Sequence, residues 1–276
     1  MTIKTRNSVI LFITFFSFVL ILGTGLLTGL SAASHNFAYP DSARIFTQSK
    51  FMQDYFFTKF EFLSIIISIF LFPLYVFISL LYINIEFEKT QSDEIIYFSM
   101  FLIGCGFEVV RILFPIMDLW QQPSSVSILI SRIVIFARSL APLSLLFASV
   151  YSSAEYRQYS EQNILIIFIG SLCLAMFAPL NTAEILPLCR IKIGYEMMFK
   201  TVQSIILVIA VAAHIAKSAA AKSKSIQPIA MLCICAGYFI LCNVYNYLFL
   251  AIAGSAMIAG SFIYLKALHN KYLWSV

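Results

Sequence analysis

Residues 95–116 read IIYFSMFLIGCGFEVVRILFPI. The run is long and apolar enough for a membrane helix, yet it carries Glu108 and Arg111. The next apolar run, Val126–Val150, carries Arg132 and Arg138. On the most lenient scale an ionisable group in hydrocarbon costs roughly 2.5–3.5 kcal/mol. Such groups persist where they pair, face a cavity or hold a ligand. These two runs therefore decide the fold class and supply the strongest lead to a site.

Composition places the whole chain in the same class. It is 61% hydrophobic and 11% charged, with a mean hydropathy of +0.91. A soluble domain carries about 25% charge, so most of this surface faces something other than water. The net charge of +5 is spread over loops and tails. It reads as the positive-inside bias of a membrane protein, and nucleic acid is not an expected partner.

Eight runs approach or reach the span length of about 20 residues. They are Val9–Leu30, Phe62–Ile85, Ile95–Ile116, Val126–Val150, Ile164–Leu180, Met197–Ala216, Ile226–Val244 and Tyr247–Leu265. The last two form one stretch too long for a single helix, and Asn243-Val-Tyr-Asn246 suits a break between them. The expected fold is an all-α polytopic membrane bundle of eight helices, or a signal peptide plus seven, in one integral membrane domain. Lys4 and Arg6 precede the first run and Ser31-Ala32-Ala33 follows it. Its apolar core exceeds the roughly 7–15 residues of a signal peptide, which favours an uncleaved anchor over 9–30, with a seven-helix bundle over 62–265.

Short loops set orientation. Lys217, Lys222 and Lys224 cluster in one loop, whereas Leu119–Ser125 has neither Lys nor Arg and offers Trp120 as an interface anchor. Both termini are therefore expected in the cytoplasm; the outer loops hold no N-x-Ser/Thr glycosylation sequon, which leans towards a bacterial inner membrane. In the longest outer segment, Ile45, Met52, Phe56 and Phe60 recur near helical spacing. That pattern fits either a surface-lying amphipathic helix or an ordinary loop.

Glu108, Arg111, Pro115 and Asp118 fall at i, i+3, i+7 and i+10, one face of a continuous helix. Antiparallel neighbours would bring Arg138 to the depth of Glu108 and Arg132 to that of Arg111. Three arginines would then share a space with two acids, and arginine does not shed its proton. One reading is an outward-opening pocket for a small anion, a carboxylate or a lipid headgroup, lined by Glu108, Arg111, Asp118, Arg132 and Arg138. The other is a Glu108–Arg138 pair that pins two helices, with Arg111 and Arg132 reaching toward the interface.

Other chemistry-bearing residues carry less. Cys105, Cys173, Cys233, Cys235 and Cys242 lie in apolar runs, Cys189 is alone in an outer loop, and there is no C-x-x-C pair. His35, His214 and His269 lack metal-ligand spacing, so neither metal nor cofactor is expected. Pro73, Pro115, Pro142 and Pro179 suit kinks that neighbouring helices tolerate. Gly254, Gly260 and nearby small residues give the last helix a face for close packing. No catalytic motif occurs, and the expectation is a protein that is not an enzyme.

The architecture resembles the seven-helix sensor halves of bacterial signalling receptors, with no motif matched residue by residue and without the output domain of those receptors being expected. That resemblance implies a ligand-binding module that contacts a partner membrane or signalling protein through its inner loops. The alternatives are a small secondary transporter for an anionic solute and a structural or assembly subunit of a membrane complex. Neither an internal repeat nor paired broken helices, the usual pointers to a transport site, stands out in the sequence.

Overall fold

The computed structural model describes residues 3–34, 37–40, 60–88, 92–121, 124–151, 160–220 and 226–273. Where apolar runs meet no polar interruption, the backbone satisfies its own hydrogen bonds as helix. The helices are α1 (Ile3–Ala33), α2 (Phe62–Glu86), α3 (Asp93–Phe107), the single turn α4 (Leu113–Ile116), α5 (Ser125–Val150), α6 (Ser160–Phe177), α7 (Glu196–Ala220), α8 (Gln227–Cys242) and α9 (Tyr247–Leu273). A 3-10 turn, Glu108–Ile112, joins α3 to α4. Among the described residues, seven stretches are long and apolar enough to cross a membrane, counting Asp93–Ile116 as one, and Gln227–Cys242 is a shorter apolar helix. The all-α class holds, and the apolar helices fit an integral membrane protein.

The faces turned away from the core support that fit. Leu11, Phe12, Leu165, Met176, Val208 and Leu232 are all exposed. An apolar belt of this extent is a membrane or partner surface. The buried polar residues are mostly serines whose hydroxyls close on their own helices. Ser99 donates to the carbonyl of Ile95, Ser139 to Ile135 and Ser144 to Leu140, at 2.8, 2.9 and 2.7 Å. Such bonds satisfy the hydroxyl without tying one helix to another.

Adjacent helices run antiparallel, so the bundle has two ends. One carries the beginning of α1 and the end of α9. There Arg6 donates to the carbonyl of Phe87 (2.7 Å) and Asn7 to that of Glu88 (2.7 Å), fastening α1 to the end of α2. Asn84 adds a bond to Thr14 (2.8 Å). The chain breaks between α8 and α9 over 243–246, where Asn246 caps α9 by accepting from the amide of Phe249 (2.9 Å).

The other end holds an element outside the sequence expectation. Residues 180–193, expected as span end and loop, form an antiparallel hairpin, β1 (Leu180–Leu186) and β2 (Arg190–Ile193), with Leu186 opposite Arg190 and a register irregularity between Asn181 and Ile185. Pro187-Leu188-Cys189 makes its turn, and Cys189 takes a left-handed φ of 58°. A three-residue hairpin turn commonly ends in that conformation. Trp120 also differs from expectation. It is buried against Phe62 and Phe114, and its indole N–H donates to the Ala38 carbonyl (3.2 Å). The apolar environment it seeks is supplied by the protein. The amphipathic pattern from Ile45 to Phe56 lies outside the described residues.

Close packing rests on small residues. A Cβ at Gly237 would stand 2.9 Å from both the Ala253 carbonyl oxygen and the Met257 amide nitrogen, and one at Gly260 would meet α8 backbone equally closely. Backbone atoms cannot yield as a side-chain tip does. Gly237→Ala is expected to lower stability by about 1–3 kcal/mol through overpacking. Gly25→Ala in α1, where a Cβ meets nothing within 4 Å, should hold or slightly raise the melting temperature, since alanine is the better helix former. Thermal unfolding of both variants in detergent checks the contrast.

Candidate functional site

The site begins where α3 changes winding. At Glu108 the helix tightens into the 3-10 turn and becomes α-helical again at Leu113. Pro115 lies four residues after Arg111; its ring crowds that carbonyl and it has no N–H to donate. A 3-10 stretch inside a helix is uncommon and often marks strain or function. Across from it α5 runs antiparallel, and Gly104 lets the two backbones approach, with a Cβ at that position 3.0 Å from the Ala141 Cβ.

Glu108, fully buried, is shared by two arginines. Arg138 Nε lies 2.8 Å from Oε1 and its Nη2 3.2 Å from Oε2. Arg111 Nη1 lies 2.9 Å from Oε2. Both guanidinium groups are also buried. Arg138 Nη2 donates further to the Cys242 carbonyl (2.7 Å), placing a cation on the last turn of α8, where helix carbonyls carry partial negative charge. Gln203 of α7 donates to the backbone carbonyl of Arg138 (2.6 Å).

The hairpin closes over this group. Its turn residue Leu188 offers one carbonyl oxygen to Arg111 Nε (3.0 Å) and Nη2 (2.8 Å). The Ile191 amide donates to Ser131 Oγ of α5 (2.9 Å). Leu188, Cys189, Arg190 and Ile191 are all buried. Burial pushes the Cys189 thiol up to about 12, despite the nearby Arg111.

Arg190 joins the cluster from β2. Its Nη2 pairs with Glu196 Oε1 at 2.7 Å, and Lys200 holds the same carboxylate at 2.8 Å. Its Nε and Nη1 are buried without a hydrogen-bond partner. Burial lowers its guanidinium to about 10, with repulsion from Arg138 and, less, Arg111 adding to the effect. Three buried guanidinium groups thus face two carboxylates.

Of the five residues expected together, the structure joins three. Arg111 is not at the interface but fully buried, because Glu108 and Leu188 satisfy it. Arg132 turns away from the cluster. Its Nη1 donates to the carbonyls of Ala175, Met176 and Ala178 at 2.5, 2.8 and 2.6 Å, a cation closing the end of α6. Asp118 leaves the stripe because the 3-10 turn and the end of α4 break the helix; it is exposed, with a φ of 47°. Arg190 is the residue that sequence reading missed. The signal available was the alternation of Ile185, Ile191 and Ile193 around Pro187, a hairpin pattern.

A 98-residue stretch is 34% identical to an uncharacterized protein of Treponema pallidum (strain Nichols), covering 36% of this chain and 27% of that protein. The chain thus matches about a quarter of that relative's length. No protein-family profile and no solved structure matches the chain.

Truncating a shared buried carboxylate leaves two buried cations uncompensated. Glu108→Ala is expected to cost about 3–5 kcal/mol, measured by reversible unfolding in mixed micelles. Arg132→Ala removes a helix-end cation and should cost about 1–2 kcal/mol. Asp118→Ala, at an exposed turn, should stay within about 0.5 kcal/mol of the parent.

Proposed function

We propose that the chain is a non-enzymatic ligand-binding membrane module, sensor-like in its action, with an arginine-lined site for a small anion beneath the hairpin. In this reading the hairpin end faces outward, both ends of the chain lie in the cytoplasm, and the membrane is a bacterial inner membrane. The observation that carries it is the buried charge excess, three guanidinium groups against Glu108 and Glu196, with two Arg190 donors unpartnered. Buried charge in a membrane protein is costly and marks function where it persists. A bound anion would balance the charge and accept from Arg190. The loops at the opposite end would then meet a partner protein.

A second reading, transport of an anionic solute, gains from one feature. The 3-10 break after α3 and the C-terminus of α8 both meet the Glu108–Arg138 pair, and interrupted helices commonly build transport sites.

The experiment is a melting series in nanodiscs of neutral lipid, titrated with sodium salts of small anions in zwitterionic buffer. A site predicts a saturable rise for at least one anion, lost in Arg190→Gln when that variant melts normally without salt. A rise that is equal for every salt, unsaturated and retained in Arg190→Gln would contradict a site. Binding without uptake by proteoliposomes supports sensing; uptake supports the transport reading.

A further inference from the structure

The two arginines on Glu108 use the same edge of the guanidinium differently. Arg138 sets Nε and Nη2 against the two oxygens of one carboxylate (2.8 and 3.2 Å). Arg111 sets the same two nitrogens against a single neutral oxygen, the Leu188 carbonyl (3.0 and 2.8 Å). That edge is matched in geometry and charge by two carboxylate oxygens. The oxygen on Arg111 comes from a hairpin turn that also holds a non-glycine residue, Cys189, in a left-handed conformation. Such a conformation costs roughly 1–2 kcal/mol. Beside it, Arg190 keeps two buried donors unpartnered. The charge excess, the half-used edge and the strained turn meet at one place.

We propose that the ligand of this site is a carboxylate, and that the Leu188 carbonyl holds its place on Arg111 until the hairpin turn withdraws. The inference rests on the anion-site reading given above and names its ligand class. A carboxylate on the Nε–Nη2 edge of Arg111 repeats the arrangement already formed between Arg138 and Glu108, and it supplies the missing negative charge. Because the edge is buried under 187–191, binding and hairpin withdrawal are one event. The Ser131 bond to the Ile191 amide is the latch that opposes it. The carboxylate comes either from a free small acid or from a lipid headgroup such as phosphatidylserine.

Cys189, buried at the turn, reports the hairpin position, because labelling of a buried thiol follows the population of the open form. The protein in phosphatidylcholine nanodiscs is treated with N-ethylmaleimide in sodium chloride or sodium acetate, and modification at Cys189 is read by peptide mass spectrometry beside the melting temperature. Acetate is expected to speed Cys189 labelling several-fold, saturating over the range in which it shifts the melt, with chloride producing neither effect. Ser131→Ala should lower the acetate concentration needed for both. Faster labelling in phosphatidylserine nanodiscs without acetate would assign the carboxylate to lipid. A saturable melt shift equal in chloride and acetate would overturn the carboxylate assignment while leaving an anion site. Acetate binding with unchanged Cys189 labelling would overturn the displacement. No saturable shift with any anion would remove the site itself.

Discussion

One carboxylate, Glu108, balances two buried guanidinium groups inside a bundle whose core is mainly apolar, with serines as its commonest polar residue. Its two oxygens satisfy Arg111 and Arg138, and the arginines spend their remaining donors on backbone carbonyls of Leu188 and Cys242. A single acidic side chain thus ties together α3, α5, the end of α8 and the hairpin. Each of these connections depends on a charge that the protein cannot leave uncompensated. Buried pairs of this kind add little to stability compared with well-packed apolar residues, but breaking one is expensive. Their value lies in specifying one arrangement, which greasy helices alone specify weakly.

Irregular backbone gathers at the same point. The 3-10 turn after α3, the early end of α8 and the hairpin turn would each be costly if they faced lipid. Non-helical backbone at membrane depth is tolerated where protein buries it or where it lines a cavity. The arginines supply donors to the carbonyls that these interruptions release. A purely structural pin between α3 and α5 would need Glu108 and Arg138 alone. Arg111 held by a hairpin carbonyl and Arg190 with two unpartnered donors go beyond that need, and they favour a site whose present contacts are exchangeable.

The fold class was largely legible because hydropathy is a property of long windows. Each of the eight apolar runs is helical over most of its length, and the break at 243–246 follows from its two asparagines. The Glu108–Arg138 pairing followed from depth on antiparallel neighbours. Asp118 and Arg132 did not join them, because the stripe argument assumes an unbroken α-helix and a side chain free to reach sideways. Pro115 warned of the first failure. The second depended on where α6 ends, which no local pattern encodes. Arg190 was hidden for a related reason. The arginines it lies near, Arg111 and Arg138, are distant in sequence, and a charged residue in a segment between helices ordinarily signals water. The hairpin alternation around Pro187 was present, but it was short beside the helical signals on either side.

The coupling between Glu108 and Arg138 tests the central interaction most directly, through a double-mutant cycle of Glu108→Ala and Arg138→Ala followed by reversible unfolding in mixed micelles. A shared buried carboxylate predicts that the double variant is about as stable as the worse single variant, with a coupling energy of about 2–3 kcal/mol. Additive losses, with coupling near zero, would mean that the two residues do not sense each other and that the bundle is organised by something else.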